Sequence, residues 1–178
     1  MWPEAWRRAR LTGLGPELTS FLLKMMWGIL PTRDRLHKIL PKTYNSSSCP
    51  LCSQGVQIQD GTLEHPLFYC PGDQGLPGLL LAHLRTRQVT MTTVQVLTLD
   101  LMVNPVLELP LVWVIATMLS SVWKQRKDGI VNRSKTRAEL EARCRLLREG
   151  RGNSLEKAHI LTSNEITTMF STAQQQQQ

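Results

Sequence analysis

Residues 46–73 read SSSCPLCSQGVQIQDGTLEHPLFYCPGD and hold three of the chain's four cysteines and one of its four histidines. The spacing is C-x2-C-x12-H-x4-C, through Cys49, Cys52, His65 and Cys70. A Cys-x2-Cys turn delivers two thiolates from one tight loop, and the second segment brings an imidazole and a third thiolate. Cys3His is a standard structural zinc set, and four protein ligands leave no tetrahedral position open for water. The expectation is a structural Zn2+ site. The alternative is a reduced, metal-free turn with a surface histidine.

The spacing also fits a Cys2His2-like finger that ends in Cys, but two residues argue against one. Thr62 stands three positions before the histidine, where such a finger keeps a core Leu, and Leu63 is one position off. Pro66 directly follows His65. Proline disfavours helical geometry in its predecessor and cannot donate to an ongoing helix. A helix is expected to start at Pro66, with His65 at or before its cap, which makes an irregular knuckle.

Outward from the knuckle, the chain reads as helices. On the N-terminal side, Pro16 suits a first helical position, and Leu18, Phe21, Leu22, Met25 and Ile29 recur at helical spacing up to Leu30, with Pro31 closing the helix. Thr32 caps a second, shorter helix that Pro41 ends. Thr43 to Ser48 form a loop into the cysteines. After Cys70 and a Pro-Gly turn, helices are expected over 78–87 and, capped by Thr92 or Thr93, over 94–103, where Val and Thr would also fit a strand. The longest helix is expected from Glu108 to Lys127, with Pro110 in its first turn and Gly129 past its end. Ser134 caps the last strong helix, which ends at Gly150 and presents Leu140, Cys144 and Leu147 on one face. Cys144 is read as a small core residue.

The fold class is therefore all-α: about six helices around an apolar core, with an inserted Cys3His zinc knuckle. The chain divides into a helical pair (1–42), the knuckle (43–72) and a helical core with basic C-terminal helices (73–150). A polar tail (151–178) ends in poly-Gln and is expected to be largely disordered, with at most a short helix around 164–170.

Hydrophobic residues make up 42% of the 178, enough for a core. Four cysteines are too few for a disulfide scaffold, which places the chain in a reducing compartment, nuclear or cytoplasmic. The Arg-rich start contains Glu4, and the next apolar run is cut by Lys24, a poor secretory leader. The most apolar run, Leu109 to Leu119, is about half the roughly 20 residues a membrane span requires. It reads as a core helix, and neither a membrane nor a small-molecule substrate is expected as a partner.

The blocks SFLLKMMWGILPTRDRLHKIL, CPLC, LEHPLFYCP, VWVIATMLSSVWKQRKDG and RAELEARCRLLR resemble the C-terminal zinc-binding region of LINE-type, non-LTR retrotransposon reverse transcriptases. The likeness covers about residues 6–150. It implies that Cys49, Cys52, His65 and Cys70 are zinc ligands. It also implies descent from a polyprotein that reverse transcribes its own RNA onto nicked target DNA, in which this region helps grip nucleic acid. Pro66 departs from the pattern, standing where the family has a helix-friendly apolar residue. The chain also contains no Asp-Asp pair to hold Mg2+ and no endonuclease-sized region. Phosphoryl transfer relies on such carboxylates, so no enzymatic activity is expected.

The net charge of +7 fits a polyanionic partner, RNA or DNA. Lys124 to Lys157 carries 11 basic residues against 5 acidic, and the first 42 residues carry 8 against 3. Around the ligands lie Asp60, Glu64 and Asp73, with Lys42 the only basic neighbour. The expected nucleic-acid contacts are therefore Arg7, Arg8, Arg10, Lys124, Arg126, Lys127, Arg133, Lys135, Arg143, Arg145 and Arg148, away from the zinc. The competing reading makes Arg137, Arg143 and Arg148 the solvated face of a helix, partly paired with Glu139 and Glu141. A second functional class is a zinc-stapled protein-interaction domain using the apolar face that carries Trp113 and Trp123. His37, His83 and His159 are read as ordinary surface residues.

Overall fold

The computed structural model describes residues 15–49, 52, 63–70, 76–98, 105–126, 131–149 and 160–175. Among them the protein is all-α, with no strand. Its helices are α1 (Pro16–Met26), α2 (Arg33–Ile39), a single π-helical turn (His65–Tyr69), α3 (Leu76–Thr86), α4 (Thr93–Thr98), α5 (Pro105–Arg126), α6 (Arg133–Glu149) and α7 (Ser163–Gln175).

α5 is the central helix. From Leu111 to Val122 every residue except Trp113 is buried, including Thr117, Ser120 and Ser121. A helix that is apolar all round belongs inside a bundle, not at its surface. It packs against α1, α3, α6 and the π-turn, while α7 closes over α3 and α6. Several polar groups on α5 are satisfied within the helix layer: the Thr117 hydroxyl donates to the Trp113 carbonyl at 2.8 Å. Gln125 Nε2 donates to Ser121 Oγ at 3.0 Å and to Thr136 Oγ1 at 2.8 Å, and its Oε1 accepts from the Asn132 N–H at 2.7 Å. These bonds join the last turn of α5 to the first of α6 and satisfy the buried Gln125 amide, where desolvation is costly.

Capping sets most boundaries. Thr32 Oγ1 accepts from Arg35 N at 3.3 Å and starts α2 as expected. Thr92 with Gln95, and Thr162 with Glu165, each form a reciprocal capping box, opening α4 and α7.

Four expectations are corrected. α1 stops at Met26, before Pro31 can act: Gly28 takes a left-handed φ of 61°, its N–H bonds to Met25 O at 3.0 Å, and Ile29 N–H bonds to Lys24 O at 2.9 Å. This pair of bonds satisfies terminal carbonyls that the helix itself leaves open. α5 starts at Pro105, whose missing N–H costs nothing at a first position, so Pro110 falls in the second turn. α6 is capped by Asn132, whose Oδ1 accepts from Lys135 N at 3.0 Å, and not by Ser134. The chain beyond 151 is more than a polar tail: Ile160, Leu161, Ile166, Met169 and Phe170 are buried and join the core. The polar composition of 151–178 hid a short apolar stripe at helical spacing. The C-terminal half of the expected 94–103 helix, the Pro-Gly turn after Cys70 and the Gly129 cap lie outside the described residues.

The α6 face is as read. Thr136, Leu140 and Cys144 are buried at spacings of four, and Leu147 packs against the core. Burial pushes the Cys144 thiol up to about 11, so it is an inert core group.

Candidate metal centre

Cys49 arrives from the α2 side on a loop that α2 itself fastens. Arg33 Nε donates to Ser46 O at 3.1 Å while its guanidinium lies 4.9 Å from the centroid of the Tyr44 ring. His37 Nδ1 donates to Tyr44 O at 2.6 Å. His37, expected to be an ordinary surface residue, is thus a brace for this loop. Cys52 N–H then bonds to Cys49 O at 3.3 Å, the turn that a Cys-x2-Cys pair needs.

His65 and Cys70 come from the π-turn. Five residues apart on an α-helix, two side chains point about 140° away from each other. The wider π-turn brings them toward one line, and such single turns recur at functional sites. Pro66 is accommodated because the second position of a helical turn needs no N–H donor. The expectation is corrected in one respect: the helical turn begins at His65 itself, and Cys70 closes it in extended geometry. Leu67 and Phe68 are buried and seat the turn on α3 and α5, so the ligand pair is fixed to the core.

The two segments converge. Cys49 Sγ lies 3.6 Å from Cys70 Sγ, Cys52 Sγ lies 3.7 Å from Cys70 Sγ, and His65 Nε2 lies 3.1 Å from Cys52 Sγ. All four ligand atoms fall within 4.8 Å of one another, and Cys49, His65 and Cys70 are buried. A tetrahedron with metal–sulfur bonds of about 2.3 Å has sulfur–sulfur edges of about 3.8 Å. The sulfur separations match those edges and are far beyond the roughly 2.05 Å of a disulfide. The site is a Cys3His group positioned to hold a metal ion.

Burial and crowding act on the thiols. The neighbouring Cys49 thiol, with burial, drives Cys70 strongly upward against the opposing pull of Arg126, and burial raises Cys52. Cys52 and Cys70 thus hold their protons more tightly than ordinary thiols, and a metal bound here would release them.

Arg126 is the largest surprise. Its Nη2 donates to Cys49 Sγ at 2.9 Å across 77 positions of sequence. This overturns the reading of Lys42 as the only basic neighbour of the knuckle, and it gives Arg126 a partner inside the protein. No local pattern could have found it, since only the course of α5 brings the two together. Lys124, from the same expected surface, pairs with Glu17 at 2.8 Å. Arg143 lies 5.8 Å from the centre of the Trp113 ring with its Nε buried, and the Nε of Arg148 is also buried. Arg133 is half-buried, whereas Lys135 and Arg145 are exposed on α6. Arg137 bonds Glu141 and Thr167, each at 2.8 Å. Arg7, Arg8, Arg10, Lys127 and His159, like Asp60 and Asp73, lie outside the described residues.

Trp113 and Trp123 are partly buried against the core, so the helix face that carries them is occupied internally. His83, also expected at the surface, is half-buried beside α7, with Nε2 3.7 Å from Glu165 Oε1. No described helix is long and apolar enough to cross a membrane. Compared with models of protein families, with curated proteins and with solved structures, the chain matches none.

Proposed function

We propose that the chain is a retrotransposon-derived, zinc-binding module that binds RNA or DNA without sequence preference, as a free-standing remnant or as a piece of a reverse transcriptase lacking the catalytic palm. The observation that carries the reading is the Cys3His cluster, whose soft ligands and tetrahedral edges favour Zn2+. The closed ligand set gives the ion a structural task, stapling the loop before Cys49 to the core. Nucleic-acid binding rests on the net charge of +7 and on the resemblance of the sequence blocks. The module acts without chemistry of its own, in a reducing compartment, the nucleus or cytoplasm.

Among the described residues of α6, Lys135 and Arg145 are exposed and available to phosphate. Titration of the purified protein against RNA and DNA at several salt concentrations is the test. Affinity is expected to fall with salt, and Lys135→Gln with Arg145→Gln to weaken all sequences alike, each lost contact flattening the log–log slope by about 0.7–0.9. Salt-independent or absent binding defeats this reading.

A second reading, a zinc-stapled protein-interaction domain, is favoured by one observation. Trp27 and Ile29 are exposed around a shallow hollow at the end of α1, and Ile39 and Leu40 are exposed at the end of α2. These replace the Trp113–Trp123 face as the apolar surface open to a partner. Trp27→Ala leaves nucleic-acid affinity unchanged if the first reading holds.

A further inference from the structure

We infer that Arg126 is a positioning residue of the metal centre: its guanidinium is the counter-charge that lets three thiolates and one imidazole hold a divalent ion. This rests on the Cys3His metal reading. Zn2+ with three thiolates and a neutral histidine carries a net charge of −1. A Cys2His2 set would be neutral and would need no such partner. Here most of the excess charge is enclosed, since Cys49 is 5%, His65 7% and Cys70 1% exposed, with Cys52 partly buried. A buried charge is tolerable only when paired. Arg126 supplies the pairing through an N–H···S bond of 2.9 Å to Cys49. A planar guanidinium, with several donors in a fixed fork, does this better than a point charge on a flexible stem.

The position of Arg126 is set by the core. Its neighbour Gln125 is 2% exposed and bonded to Ser121, Thr136 and Asn132, which fixes the last turn of α5. Arg33 and His37 meanwhile fasten to α2 the loop that leads to Cys49. Each party to the contact therefore has an anchor in the fold besides the metal. Groups that orient and neutralise metal ligands from outside typically change metal affinity 10–100-fold when removed.

The test compares the parent with Arg126→Met and Arg126→Lys, using Zn2+ in competition with a chromophoric chelator and Co2+ absorption to report ligand geometry. Iodoacetamide alkylation of the zinc-loaded proteins reports the sulfur. Arg126→Met is expected to weaken Zn2+ binding about tenfold or more while keeping a tetrahedral cobalt spectrum. It is also expected to speed alkylation, because Cys49 loses the bond that withdraws its electron density. Arg126→Lys restores part of both, which a role in packing alone would not produce. Should Arg126→Met fail to fold, the alkylation rate of zinc-loaded Arg126→Lys against the parent decides. Equal affinity and equal alkylation across the set overturn the role of Arg126, and so would an Arg126→Met effect confined to nucleic-acid binding. A parent that takes up no metal defeats the metal centre itself, a separate outcome.

Discussion

Four cysteines lie in this chain, and their surroundings sort them into three positioned to hold a metal and one filler. Cys49, Cys52 and Cys70 face one another and His65, whereas Cys144 is buried among apolar residues on α6. The sorting was legible in the sequence, because ligand spacing is local and Cys144 falls on a face with Leu140 and Leu147. The loop brace of Arg33 and His37 and the reach of Arg126 were not legible, since each depends on where a distant segment arrives. Cys144→Ala should lower stability by about 1 kcal/mol, the scale of a small core truncation, and leave metal stoichiometry untouched. Denaturant unfolding and metal analysis check both. A lost metal would make Cys144 a ligand.

At the scale of elements, α7 is the helix that composition concealed. Its start is a Thr162–Glu165 capping box, and its stripe of Ile166, Met169 and Phe170 is buried. The bonds were readable as Thr-x-x-Glu; the burial was not, because poly-Gln and surrounding polar residues dilute the apolar signal. Ile166→Ala should cost about 2–4 kcal/mol, and an unchanged midpoint in urea would return this segment to a loose tail. Glu165 adds a pH term. Burial raises its carboxyl, but the Thr162 N–H and hydroxyl, with Arg87 and His83 nearby, outweigh burial and hold it below the ordinary glutamate range. A carboxyl held low when folded stabilises the fold above its unfolded pKa, and that contribution fades as pH falls through the folded value. Glu165→Gln keeps the cap but removes the charge. It should cost about 0.5–1 kcal/mol at neutral pH, and the difference should vanish in acid. Thermal unfolding across pH checks this, and a pH-independent gap would contradict it.

At the scale of the molecule, the fold is a buried central helix to which the Cys3His group is joined at two points. The π-turn joins it through Leu67 and Phe68, and the end of α5 joins it through Arg126. The helical class followed from periodicity and caps. The charge map did not survive folding intact: cations grouped in sequence divide among Glu17, Cys49, the Trp113 ring and open solvent. Sequence counts charges along the chain, whereas burial decides which of them a phosphate can meet. Because the ligands are brought together only in the folded state, metal binding is partly folding free energy, on the order of 10 kcal/mol in small zinc peptides. The most direct measurement is native mass spectrometry of the purified protein and of Cys52→Ser, joined to thermal unfolding before and after chelation. The account predicts one Zn2+ per parent chain, loss of that ion in Cys52→Ser, and a large drop in midpoint once the metal is stripped. A parent that carries no metal and unfolds at the same temperature with or without chelator would contradict it.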